Sequence, residues 1–138
     1  MAIVNIRDTG RNSAKTADVR SLATKVQKPS DTEAITAANT ITAAESGTRF
    51  VMNTATARIQ TLPTPAAGLE YWFYVGATEP TGTHTIVTAS SANIIVGNVS
   101  SPEDAAGNVA TVTDADTISL VASKAVHGDF VHVWSDGT

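Results

Sequence analysis

Residues 68–75, Gly-Leu-Glu-Tyr-Trp-Phe-Tyr-Val, form the densest run of large apolar and aromatic side chains in the chain. Alternate side chains of a β-strand point to opposite faces. One face would carry Leu69, Tyr71, Phe73 and Val75, and the other would carry Glu70, Trp72 and Tyr74. A strand that is apolar on both faces is usually covered on both sides, within a sandwich or at a subunit contact. The stretch therefore predicts a central strand of a β-sheet protein.

Trp72 and Tyr74 lie on the second face of this strand and have two interpretations. They could cover a second layer of their own chain. They could instead form an interface patch, because aromatic residues are enriched at such contacts. The sequence leaves both open, and we take the second forward as the predicted oligomer interface.

Residues 34–138 consist of short strand-like runs separated by turn-forming residues, with no run of helical periodicity. The predicted strands are 34–42, 48–53, 58–62, 68–75, 83–88, 93–96, 109–113, 117–122 and 130–135. Short strands at a spacing of about ten residues are typical of an antiparallel β-sandwich or barrel. We predict an all-β domain of this kind over residues 34–138.

The predicted core of this domain is thin in large side chains. It comprises Ile41, Phe50, Met52, Ile59, Leu62, Leu69, Tyr71, Phe73, Val75, Ile86, Ile94, Val96, Val112, Ile118, Leu120, Phe130 and either Val133 or Trp134. Apolar burial contributes about 25 cal/mol per Å², while ordering costs more than about 1 kcal/mol per residue. A monomer of this composition should be marginally stable, which favours an oligomer.

Residues 1–33 are predicted to be an extended basic arm. Residues 1–28 carry six basic and two acidic side chains, whereas residues 29–138 carry three basic and eleven acidic ones, within a net charge of −4. Such a charge asymmetry indicates a basic arm on an acidic body. Apolar residues at helical spacing between 19 and 26 mark one short candidate helix, which would be marginal in water without a partner.

Three interpretations of the arm follow from its composition. It could be a solvated tail, or it could bind nucleic acid through its positive charges. The arm has no aromatic residue for base stacking and the body is acidic, so we expect no nucleic-acid partner. Interleaved apolar residues favour docking on another protein. The predicted contact residues are Arg7, Arg11, Lys15, Val19, Arg20, Leu22, Lys25 and Val26.

No motif in the chain indicates catalysis, a metal site or a cofactor. The chain has no cysteine, and its three histidines do not show metal-ligand spacing. Neither a nucleophile elbow nor a phosphate-binding glycine loop is present. Asp114 and Asp116 with Glu103 and Asp104 could hold calcium, but solvated turn carboxylates explain them better. We expect no enzyme, no metal, no cofactor, no secretion signal and no membrane span.

Four stretches carry a resemblance to small β-rich virion proteins of tailed bacteriophages. They are Gly-Thr-Arg-Phe-Val-Met-Asn (47–53), Ile-Gln-Thr-Leu-Pro (59–63), Ala-Gly-Leu-Glu-Tyr-Trp-Phe-Tyr-Val (67–75) and Gly-Asp-Phe-Val-His-Val-Trp-Ser-Asp-Gly-Thr (128–138). The chain most resembles capsid decoration (cement) proteins, and similar pieces recur in phage head-fibre and tail-fibre domains.

The resemblance implies a homotrimer on the outside of a capsid, assembled in the host cytoplasm, with the major capsid protein as its partner. The arm would reach across capsomer boundaries, and the protein would stabilise the shell by clamping neighbouring subunits. The alternative is a receptor- or glycan-binding domain of a phage fibre. Such a domain would use an exposed groove with residues such as Trp134, His132 and Asp136.

Overall fold

The computed structural model describes residues 31–100 and 109–138, which form ten β-strands, one 3-10 turn at Ala43–Glu45 and no α-helix. The strands are β1 (Thr32–Ile35), β2 (Asn39–Thr40), β3 (Arg49–Met52), β4 (Ile59–Thr61), β5 (Glu70–Val75), β6 (His84–Val87), β7 (Ile95–Ser100), β8 (Val109–Ala115), β9 (Thr117–Leu120) and β10 (Phe130–Trp134). The all-β prediction is confirmed for this part of the chain. The candidate helix of the arm lies outside the described residues.

Two four-stranded sheets pack into a sandwich-like arrangement. Sheet A has the strand order β1-β3-β5-β10, and sheet B has the order β2-β4-β6-β9. Strands β7 and β8 form a separate two-stranded hairpin sheet. From β1 to β6 consecutive strands alternate between the two sheets, so the chain winds through three successive coils. Each coil adds one strand to each sheet, as in stacked repeat architectures.

The strand directions differ from the predicted antiparallel pattern, because both sheets are mixed. Strands β1, β3 and β5 run parallel to one another, as do β2, β4 and β6. Only β10 and β9 join their sheets in the antiparallel direction, and β7 pairs with β8 in the same way. The turns between consecutive strands cross from one sheet to the other instead of forming hairpins. Neighbours within a sheet therefore come from successive coils and run the same way.

The core lies between the sheets and is built from the same positions of successive coils. Phe50 on β3 pairs with Phe73 on β5, and the two rings stack with centroids 5.3 Å apart. Two residues further along, Met52 pairs with Val75 and also with Ile35 on β1. All five side chains are buried, so the parallel register produces continuous apolar ladders across sheet A.

The predicted core is confirmed at most positions. Buried members are Ile41, Phe50, Met52, Leu62, Tyr71, Phe73, Val75 and Ile86. Partly buried members are Leu69, Val112, Ile118, Leu120 and Val133. The prediction was wrong for Ile59, Ile94, Val96 and Phe130, which are exposed; of the alternatives Val133 and Trp134, Val133 packs against the core and Trp134 is exposed. Strand alternation identifies the side chains that share a face, but it does not tell which face is covered.

Two fully buried polar side chains were not expected in the core. His84 on β6 accepts a hydrogen bond at Nδ1 from the Arg58 amide at 3.1 Å and lies 3.0 Å from the Thr54 carbonyl through Nε2. Both ring nitrogens are therefore satisfied by the loop before β4. Gln60 on β4 donates from Nε2 to the Ala37 carbonyl at 3.2 Å, while its Oε1 has no partner among the described residues.

The first strand begins slightly before the predicted boundary between arm and domain. Thr32 and Glu33 were assigned to the arm, but they pair with β3 as part of β1. The single strand predicted over 34–42 is two strands in different sheets, because the chain turns between Ile35 and Asn39. The described residues thus place the last part of the predicted arm in sheet A.

Candidate interaction surface

The outward side of sheet A carries a cluster of four rings, which we call the aromatic face: Trp72 and Tyr74 on β5, and Phe130 and His132 on β10. Trp72 and His132 stack with centroids 3.8 Å apart and planes inclined by 8°. Phe130 lies 5.8 Å from Trp72 and 5.9 Å from Tyr74. These spacings lie within or below the usual range for packed aromatic pairs, so the four rings form one continuous surface.

The strand register explains why these four rings meet. In the antiparallel pair of β5 and β10, Trp72 is directly opposite His132 and Tyr74 is directly opposite Phe130. Side chains at directly opposite positions lie on the same face of the sheet and are close enough to contact each other. The intervening residues of each strand point inward to the core. One face of β5 thus builds the core and the other builds the aromatic face.

Glu70 fixes the orientation of two of the rings. Its Oε1 accepts hydrogen bonds from Trp72 Nε1 at 3.1 Å and from His132 Nε2 at 2.9 Å. A carboxylate that accepts from both rings holds each in a defined rotamer, so less side-chain entropy is lost when a partner covers them. The aromatic face is therefore preorganised for contact.

The aromatic face continues onto strand β3. Arg49 is paired with Trp72, and Val51 is paired with Tyr74, both on the outward side of the sheet. Arg49 is exposed and Val51 is partly buried. The result is an apolar surface with one cation and one carboxylate at its margins, which is the composition of a protein contact surface.

Two of the stretches that carry the virion-protein resemblance meet at the end of β10. Gly68 donates its amide to the Ser135 carbonyl, and Ser135 donates to the Leu69 carbonyl, both at 2.8 Å. Gly137 has φ +103, and a Cβ there would lie 3.1 Å from the Ala67 amide nitrogen, so glycine suits this position. Hydrogen bonds from Thr138 lower the pKa of Asp136.

No group of three or more His, Asp or Glu side chains within the described residues is placed to hold a metal ion. No helix in that part of the chain is long and apolar enough to cross a membrane. The three histidines lie in different environments: His84 is buried, His132 is part of the aromatic face and His127 is exposed.

The structure places the predicted oligomer-interface residues Trp72 and Tyr74 side by side on the outward face of β5, both partly buried. The prediction missed Phe130 and His132 as their neighbours. Large side chains occupy both faces of 130–134, so the sequence did not show which face of β10 is exposed, and the pairing of β10 with β5 has no local signal. The predicted contact residues of the arm lie outside the described residues: Arg7, Arg11, Lys15, Val19, Arg20, Leu22, Lys25 and Val26.

Comparison of the chain with protein-family models, with curated proteins and with solved structures gives no match.

Proposed function

We propose that the chain is a structural virion protein, a capsid decoration protein of a tailed bacteriophage. It binds the outside of the assembled capsid as a homotrimer and stabilises the shell by clamping neighbouring major capsid subunits. A protein that binds only the assembled shell shifts the equilibrium against its opening by mass action. No catalysis and no cofactor are part of this proposal.

The preorganised aromatic face is the observation that supports this function best. Four rings lie together on the surface of sheet A, and Glu70 holds two of them in place. Exposed aromatic clusters are typical of binding surfaces, because large rigid rings bury much area at a small entropy cost. In the proposal, this face forms contacts between copies of the protein on the capsid surface.

The basic arm supplies the attachment to the capsid in this proposal. Six basic residues within residues 1–28 can pair with acidic groups on the shell, and Val19, Leu22 and Val26 can bury apolar area there. The acidic body would otherwise be repelled by an acidic shell surface. Attachment should therefore weaken as salt concentration rises.

Co-sedimentation with purified heads that lack the protein tests the attachment. The full chain should pellet with the heads, and a variant with Arg7, Arg11, Arg20 and Lys25 changed to Gln should bind at least about tenfold more weakly. The control changes Glu33 and Glu79 of the body to Gln; both are exposed and lie off the aromatic face, so this variant should bind at least as well as the unmodified chain. Equal binding by both variants would exclude the arm as the attachment, and no binding by the unmodified chain would exclude the function.

The second candidate is a receptor- or glycan-binding domain of a phage fibre. The exposed Trp134 near His132 favours it, because glycan sites combine free aromatic rings with polar groups. Asp136, the third residue predicted for such a site, is exposed two positions further along. Binding to host cells or to a glycan array, without binding to heads, would establish this function instead.

A further inference from the structure

Exposed apolar side chains concentrate around one groove of the domain. We call it the edge groove; it lies between β9, β10 and the β7–β8 hairpin. Of the eight large hydrophobic side chains that are exposed among the described residues, all but Ile59 line this groove. They are Ile94, Val96, Val99, Val121, Val126, Phe130 and Trp134. Clustering of this kind marks an interaction surface, whereas scattered exposed residues do not.

Strand β10 forms one wall of the edge groove and is the last strand of sheet A. Hydrogen bonds run from the Val75 amide to the Asp129 carbonyl and from the Ser135 amide to the Leu69 carbonyl. Odd-numbered residues of this segment therefore direct their main-chain groups at β5. In an antiparallel pair the main-chain N–H and C=O groups of the even-numbered residues then point to the outer edge of β10. No described strand pairs with that edge, so it can accept another strand.

The side chains of β10 are large on both faces of the strand. Val131 and Val133 pack against the core, while Phe130 and His132 belong to the aromatic face. Trp134 is the most exposed aromatic side chain of this strand, at 67%. The edge groove and the aromatic face therefore form one surface that wraps around β10.

The charges of the chain favour a second copy as the occupant of this surface. The described residues contain nine acidic and three basic side chains, a balance of −6. The edge groove contains only Lys124, Asp129 and Asp136, a balance of −1. Two copies of an acidic body repel least where each presents a nearly neutral surface.

We propose that a second copy of this chain covers the edge groove, with a strand from that copy adding to the outer edge of β10. This inference deepens the self-association that the proposed function includes, and it does not depend on attachment to a capsid. Strand addition supplies main-chain hydrogen bonds, while the groove supplies pockets for apolar side chains. The partner copy would also cover the β7–β8 hairpin, since two-stranded sheets are marginal in water by themselves.

Sedimentation equilibrium of the full chain, without any capsid, tests the proposal. The unmodified chain should be an oligomer at about 10 µM. Trp134→Lys and Val121→Lys should each weaken association at least about tenfold, because a buried lysine would lose its hydration and block the edge. Ile59→Lys is the matched control, since Ile59 is 54% exposed, Val121 is 50% exposed and only Val121 lines the groove.

Hydrogen exchange gives a second measurement, which distinguishes loss of the contact at β10 from loss of folding of the whole domain. The amides of Phe130, His132 and Trp134 should be protected in the unmodified oligomer and should exchange faster in Trp134→Lys, while amides of β3 stay protected in both. A monomeric full chain would overturn the proposal and leave the groove to residues 1–30 or to a different protein. Association that Ile59→Lys weakens as much as Val121→Lys would overturn it too. Failure of capsid binding alone would leave it intact.

Discussion

Replacing Phe73 with Ala tests the arrangement of the core most sharply. Phe73 is fully buried on the inward face of β5 and stacks on Phe50. Truncation of a buried phenylalanine costs about 3–5 kcal/mol, through lost burial and the cavity that remains. We expect a value near the upper end, because Phe50 also loses a ring contact worth about 0.5–1.5 kcal/mol. The loss is large against a total stability of about 5–15 kcal/mol for a domain of this kind.

The control is Tyr74→Ala at the next position of the same strand. Tyr74 is only partly buried and lies on the outward face, so its truncation in the dissociated chain should cost about 1 kcal/mol. Urea unfolding followed by the fluorescence of the two tryptophans, Trp72 and Trp134, measures both free energies. Midpoints taken at two protein concentrations separate folding from self-association. A loss in Phe73→Ala no larger than in Tyr74→Ala would refute the inward assignment of Phe73.

Three further predictions concern the buried polar groups. His84→Ala should lower the free energy of unfolding by about 2–4 kcal/mol, because it opens a cavity and leaves the Arg58 amide without its acceptor; a loss below about 1 kcal/mol would contradict the buried hydrogen bond. Gln60→Met should raise it by about 1 kcal/mol in urea unfolding, because the unpartnered Oε1 is removed while the Ala37 carbonyl, on an exposed residue, can bond to water instead. Destabilisation would show that Oε1 has a partner or that the bond to Ala37 contributes more than the unpartnered oxygen costs. Burial and, to a smaller extent, the Glu45 carboxylate raise the pKa of Tyr71. The stabilisation from neutral Tyr71 should therefore be complete below about pH 10 and should fall as pH rises through the raised pKa, and Tyr71→Phe should remove this component of the alkaline loss.

The sequence predicted the faces of individual strands better than their neighbours. Strict alternation over 70–75 correctly separated the buried Phe73 from the outward Trp72 and Tyr74. The same local pattern in 130–134 could not show that Phe130 would lie opposite Tyr74, because pairing between distant strands depends on the whole fold. The aromatic face was therefore predicted on one strand and missed on the other.

Strand direction was the main error, and it has a physical origin. Turn-forming residues between short strands are compatible with a hairpin, and they are equally compatible with a turn that crosses to the opposite sheet. The chain crosses between the sheets after each strand from β1 to β6, so strands that are consecutive in the sequence are not neighbours within a sheet. Phe50 on β3 is instead paired with Phe73 on β5. No short motif distinguishes the two routes. The pair of Phe50 and Phe73, one coil apart, does indicate the crossing route, but it joins positions that are distant in the sequence.

The central claim of the proposed function is that the protein stabilises the assembled capsid. The most direct measurement is the temperature at which purified heads that lack the protein release their DNA, recorded at increasing concentrations of the full chain. The shift should rise steadily with concentration and level off when the sites are full, as expected for a ligand that binds only the closed shell. An unchanged release temperature at concentrations that saturate the heads would contradict the proposed function.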